Sequence, residues 1–179
     1  MKQTEKSIIA IDPSIVQCGW CIAFEGGEVA GLIKPIGETL AERLQSLAVE
    51  QKKVCLAHVP FPEKAIVELP SAFTYARSQG QYGKSLNADS LQKLNLAIGV
   101  IFGTLHALSI PVEFIPVLWK GKMTKGLAQT ITGEKNHNVA DAILLARYYL
   151  GKNPNRKGNK GNLTQKGRDE GLKRLRAVS

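Results

Sequence analysis

"SIIAIDPSIVQCGWCIAF", residues 7–24, decides the fold. Ile8, Ile9, Ala10 and Ile11 form an unbroken apolar run, which reads as a strand buried on both faces. The run ends on Asp12, and a carboxylate there is costly unless something stabilises its charge. Two readings are open. Asp12-Pro13 opens a turn well, or the carboxylate is kept for chemistry. Beyond it, residues 19–24 continue extended, Gly26-Gly27 signals a hairpin turn, and residues 28–33 read as the returning strand. The chain therefore starts antiparallel.

Working outward, Leu40, Leu44, Leu47 and Ala48 share one face of a helix. "KAIVEL" (64–69) is a second apolar strand, ended by Pro70, with a carboxylate, Glu68, near its end. The polar segment 70–90, interleaved with Phe73, Tyr75 and Tyr82, reads as a working loop. Residues 91–108 form a strong helix, with Leu94, Ile98, Ile101, Leu105 and Leu108 in phase. "PVEFIPV" is a short strand, 124–131 a short helix and 139–150 the last long helix. The order predicts an α/β fold, a mixed central sheet flanked by helices.

The length fits one domain with a real core, over residues 1–150. No apolar run reaches membrane-spanning length, and the polar first six residues carry no signal segment. Cys18, Cys21 and Cys55 read as reduced core thiols. Cys18-x-x-Cys21 has redox or zinc spacing but lies in a strand without a partner pair downstream. A cytoplasmic protein is expected. Charge is concentrated at one end. Residues 151–179 hold a net +7 of the chain's +9. This Gly- and Asn-rich tail, with a short helix possible over 169–177, suits phosphate backbones first and acidic membranes second. A merely solubilising terminus is the plain alternative.

Asp12 and Glu68 end two strands. If those strands are neighbours, the acids converge on one sheet edge. Asp141 shares a helix face with Leu144, Leu145 and Tyr148, so it points where the core face points. Its plain alternative is helix capping, with Asn138 as N-cap. Gathered carboxylates repel unless cations sit between them. Hard oxygen ligands suit Mg²⁺ or Mn²⁺, and such clusters can hold two ions about 3.5–4 Å apart for in-line phosphodiester attack.

"IIAIDPSIVQCGWCI", "AIVEL" and "NVADAILLA", in that order, resemble the first strand, the glutamate strand and the closing Asp-bearing helix of RuvC-type Holliday junction resolvases. "IPVEFIPVLWKGKMTKG" resembles that family's strand and Lys-bearing segment, in the Trp-Lys-Gly form of small phage-type members. The resemblance covers about residues 7–150. It implies an RNase H-like fold and a homodimer cutting branched DNA, four-way junctions above all. It makes Asp12, Glu68 and Asp141 metal-binding acids, with Asp12 shared between two Mg²⁺ or Mn²⁺ ions. Lys120, and less directly Lys125, match lysines near the scissile phosphate. Phe73 matches an aromatic that stacks on junction bases, with a core Phe as its plain alternative. Arg77, Lys122, Arg156, Lys157 and Lys160 complete the candidate DNA contacts. One position departs. The family's acid or histidine three residues before the last Asp is Asn138 here, beside His137, and it offers a metal a carbonyl without charge.

The helix at 91–108, with small Gly99 and Gly103, is the candidate dimer face, against plain packing on the sheet. Two rivals to a resolvase remain: an RNase H-like nuclease on RNA–DNA hybrids or flaps, and a catalytically inactive junction-binding protein. A sugar-kinase-like ATPase also begins with an Ile-Asp strand, but the second Gly-rich phosphate loop it needs is missing.

Overall fold

The computed structural model describes residues 7–70, 88–120 and 124–151. Its sheet holds five strands: β1 Ile8–Asp12, β2 Cys18–Phe24, β3 Gly27–Ile33, β4 Lys64–Leu69 and β5 Val112–Pro116. Their order is β3-β2-β1-β4-β5, with β1 to β3 antiparallel and β4 and β5 parallel to β1. The helices are α1 Leu40–Ala57, α2 Ala88–Ala107, α3 Lys125–Thr132 and α4 His137–Tyr149, and a 3-10 turn spans Val117–Lys120. The fold is thus α/β with a mixed sheet, as the element order predicts. None of the described helices is long and apolar enough to cross a membrane.

Strand parity decides what each face holds, because successive side chains point to opposite sides of a sheet. Ile9, Ile11, Ala65 and Val67 face α1 and α2, packing with Leu47, Ala97, Ile101 and Leu105. Ile8, Ala10 and Ile66 face α4, packing with Val139, Ala142, Ile143 and Ala146. The same alternation carries Asp12 and Glu68 to the α4 side. It also separates Cys18 from Cys21. Three apart in one strand, they enter opposite cores and cannot share an ion or form a disulfide. Burial pushes both thiols up to about 12, so neither is a redox nucleophile at neutral pH.

Helix α4 sits against β2 because Gly19 has no side chain. A Cβ there would collide with the backbone carbonyl of Asn138. The N-cap of α4 is Asn136, not Asn138. The Asn136 Oδ1 accepts the N–H groups of Asn138 (2.9 Å) and Val139 (3.4 Å). Asn138 lies inside the first turn, and its side-chain amide donates to the Gln17 carbonyl. Asn136 also donates to Gln17 Oε1 at 2.9 Å. The 13–17 loop and the start of α4 are therefore clasped together.

Candidate metal and phosphate site

Strands β1 and β4 run parallel in a register that pairs Ile9 with Ala65 and Ile11 with Val67. Asp12 and Glu68 come next in line, at the carboxyl ends of neighbouring strands and on the face that α4 covers. Ligands of α/β sheets bind beyond these strand ends. Asp141, in the first half of α4, belongs to the same face and is 9% exposed; Glu68 is 7% exposed. Turn chemistry does not account for Asp12. In the loop after it, the Ser14 hydroxyl accepts the N–H groups of Val16 and Gln17 at 3.1 and 3.2 Å, and the Asp12 carboxylate takes neither bond.

The 3-10 turn after β5 brings two further groups. Lys120 Nζ donates to Glu68 Oε1 at 2.9 Å and to Asp141 Oδ2 at 2.8 Å. The Trp119 indole N–H donates to the other Glu68 oxygen, Oε2, at 2.9 Å. Trp119 is held by packing on Tyr148 of α4, with ring centroids 5.5 Å apart. Both Glu68 oxygens are therefore occupied, and one ammonium joins a strand-end acid to a helix acid.

Three carboxylates share this face with one inward ammonium, and their ionisation follows from that excess. Burial first, then the charge of Glu68, push the Asp12 carboxyl up to about 8; Lys120 and Lys125 oppose the rise. Burial also raises Glu68, against the pull of Lys120 and Trp119. Burial would lower Lys120, but Glu68, Asp12 and Asp141 together hold it above the ordinary lysine range. Lys125, exposed at the start of α3, is near enough for its charge to act on Asp12 and on His137. His137 is lowered by burial and by Lys125, with Asp141 opposing, which places it at the rim of the same site.

The structure thus associates Asp12, Glu68, Asp141 and Lys120, with Lys125 at the margin. Asn138 reaches the Gln17 backbone. Phe73, Arg77, Lys122, Arg156, Lys157 and Lys160 lie outside the described residues. Trp119 was not among the sequence candidates. Its only signal was its place beside Lys120 in "VLWKGK", where an indole also reads as ordinary core. No group of three or more His, Cys, Asp or Glu side chains among the described residues is drawn together as ligands of one ion. The donor chemistry still fits a hard divalent cation: acids on two strand ends and one helix face, with a cation already between two of them.

Two solved structures share this architecture. One is Thermus thermophilus RuvC in complex with a Holliday junction substrate, at TM-score 0.57 and 17% identity. The other is a further structure of Thermus thermophilus RuvC, at TM-score 0.53 and 19% identity. Each match covers 82% of this chain and 97% of the other. No protein-family model and no curated protein sequence matches the chain. At such identities the likeness establishes the fold, which is RNase H-like in the RuvC arrangement.

Proposed function

We propose that this chain is a metal-dependent, structure-selective DNA endonuclease of the RuvC type, resolving four-way or otherwise branched junctions. The observation that carries the reading is the convergence of Asp12, Glu68, Asp141 and Lys120 at one end and one face of the sheet. Buried acids are tolerated when they bind cations, and these are aligned by strand register and helix face.

The reaction is phosphodiester hydrolysis. Water adds to phosphorus, the bond to the 3′ oxygen breaks, and the products carry a 5′ phosphate and a 3′ hydroxyl. Asp12, Glu68 and Asp141 would hold the cation, Mg²⁺ or Mn²⁺, with Asp12 the shared ligand if two are bound. When bound, it supplies positive charge to the attacking water and the phosphoryl oxygens. Trp119 fixes the orientation of Glu68. Lys120 and Lys125 offer positive charge to the phosphate. The basic residues 151–179 add phosphate contacts, so deleting them should flatten the dependence of log K on log salt. An unchanged slope would place that segment off the DNA.

Paired cuts need two sites, and α2 offers a face for a second copy. Its core side is buried, with Ala97, Ile101 and Leu105 packing against α1 and the sheet. Its other side leaves Leu96 and Phe102 41% and 44% exposed, beside Gly99 and Gly103, where a Cβ would meet nothing within 4 Å. Two such helices can approach closely. The buried free thiols are in keeping with a cytoplasmic site of action.

The deciding experiment incubates a labelled four-way junction with the protein and Mg²⁺ or Mn²⁺, beside matched duplex and RNA–DNA hybrid. Junction cutting that Asp12→Asn and Glu68→Gln abolish, with binding kept within a few fold, supports the reading. Cutting of the hybrid alone would make it an RNase H-like nuclease. Binding without cutting under either ion would make it a junction-binding protein.

A further inference from the structure

We propose that the Lys120 ammonium is the resident cation of the metal-free site, and that a divalent ion binds by displacing it. This rests on the metal-dependent reading above and adds a competition within the chain. The ammonium lies 2.9 Å from Glu68 Oε1 and 2.8 Å from Asp141 Oδ2. The ammonium thus takes one oxygen of each of the two buried acids. The other Glu68 oxygen is taken by Trp119. A hard divalent ion needs carboxylate oxygens at about 2.0–2.1 Å, inside the shell that the ammonium now fills. Two cations of charge +1 and +2 sharing the same oxygens would repel strongly.

The side chain suits an exchange. A lysine carries a compact charge on a flexible stem, so it can leave without moving the backbone. Its side chain is 18% exposed, so a path toward solvent is open. Trp119 stays behind, holding Glu68 by Oε2 while Oε1 is freed. The outgoing ammonium becomes available to a phosphate oxygen of bound DNA, so that ion loading and phosphate capture are coupled through one side chain. The acids are also never left without a counter-ion. In the metal-free protein Lys120 offsets part of the repulsion among them.

The test measures Mn²⁺ binding directly, by electron paramagnetic resonance or calorimetry, without DNA and without any activity assay. The proteins are wild type, Lys120→Met, Lys120→Arg and Glu68→Gln, each with a metal-free melting curve. The proposal expects Lys120→Met to bind Mn²⁺ at least tenfold more tightly than wild type. It expects the same variant to melt lower without metal and to gain more from Mn²⁺. Lys120→Arg, which keeps the charge, should stay near wild type in both measures. Equal or weaker Mn²⁺ binding by Lys120→Met, with Glu68→Gln abolishing it, would overturn the displacement alone and leave the metal site standing. No Mn²⁺ binding by wild type or Lys120→Met would overturn both. If Lys120→Met fails to fold, a Lys120→Arg protein that binds Mn²⁺ tenfold more tightly would equally overturn the proposal.

Discussion

Trp119 donates its indole N–H to Glu68 Oε2 at 2.9 Å, across 51 residues of chain. The bond joins the turn after β5 to the end of β4 and leaves Oε1 free to face Lys120. A bond to an ionised acceptor is worth about 1.5–3 kcal/mol, roughly twice a neutral one. Trp119→Phe keeps most of the ring contact with Tyr148 and removes the donor. It should destabilise the metal-free protein by about 2 kcal/mol at pH 8. The cost should shrink as pH falls and Glu68 takes a proton, because the acceptor then loses its charge. Denaturant melts at pH 8 and pH 4 check this. A cost that does not vary with pH would make Trp119 a packing residue only.

Asp12 gives the metal-free protein a defined dependence on pH. Its carboxyl is pushed up to about 8 in the folded chain, from an ordinary 3.8, by burial and by Glu68. Between those values the folded chain keeps a proton that the unfolded chain releases. Stability therefore falls as pH rises through this window. Glu68, also raised by burial, acts in the same direction. In chelator, melting temperature should decline from about pH 4 to about pH 8, and Asp12→Asn should flatten the decline. A melting temperature that rises across this window in wild type would show that Asp12 stays ionised when folded.

The legible part of this molecule was its periodicity. "IIAID" and "KAIVEL" each carry an acid at or near the end of an apolar run, so two strand-end acids were legible. That both lie on the face of α4 needed Ala10 and Ile66, two residues before them, seen packed against that helix. Asp141 was legible because spacings of three, four and seven tie it to Leu144, Leu145 and Tyr148. Parity cannot say that β1 and β4 are neighbours, which required the register of Ile11 on Val67. The capping alternative weighed for Asn138 falls to Asn136, two residues earlier, for a related reason. Asn136 and Asn138 both suit a cap by residue type. What separates them is that the Asn136 Oδ1 accepts the first helical N–H groups, while the Asn138 amide is turned to the backbone carbonyl of Gln17, more than a hundred positions away. Trp119 was missed because an indole N–H reveals its use only when its acceptor is in view.

Gln51 is the one side chain among the described residues that is buried with unpaired polar atoms. It lies on the inner face of α1 with Leu47 and Cys55, at 1% exposure, and neither Oε1 nor Nε2 has a partner. An amide buried without hydrogen bonds costs about 1–3 kcal/mol. Gln51→Met keeps the length and removes both polar atoms, so it should stabilise the fold by about 1–2 kcal/mol. Urea denaturation of both forms measures it. A less stable Met form would show that the amide has a partner in solution.

The outward face of α2 gives the last prediction, on the proposed homodimer. Phe102 is 44% exposed, and its ring lies 5.9 Å from Phe114 of the edge strand and 6.0 Å from His106. Leu96, Phe102 and the bare Gly99 and Gly103 leave an exposed apolar strip on α2, which Phe114 of the edge strand extends and His106 flanks. Such a strip in a second copy would bury the same residues again about a twofold axis. Phe102→Glu would place a charge on each side of that contact, where like charges facing each other are strongly unfavourable. The same substitution should hardly affect the isolated fold, because Phe102 contributes little to the core. Sedimentation should therefore show two chains per particle for wild type and one for the variant, with melting in dilute solution nearly unchanged. Junction cleavage by the variant should shift from paired cuts toward single nicks, because each particle then carries one site. A Phe102→Glu protein that still sediments as two chains would move the interface off this face. A wild type that sediments as one chain would remove the dimer altogether.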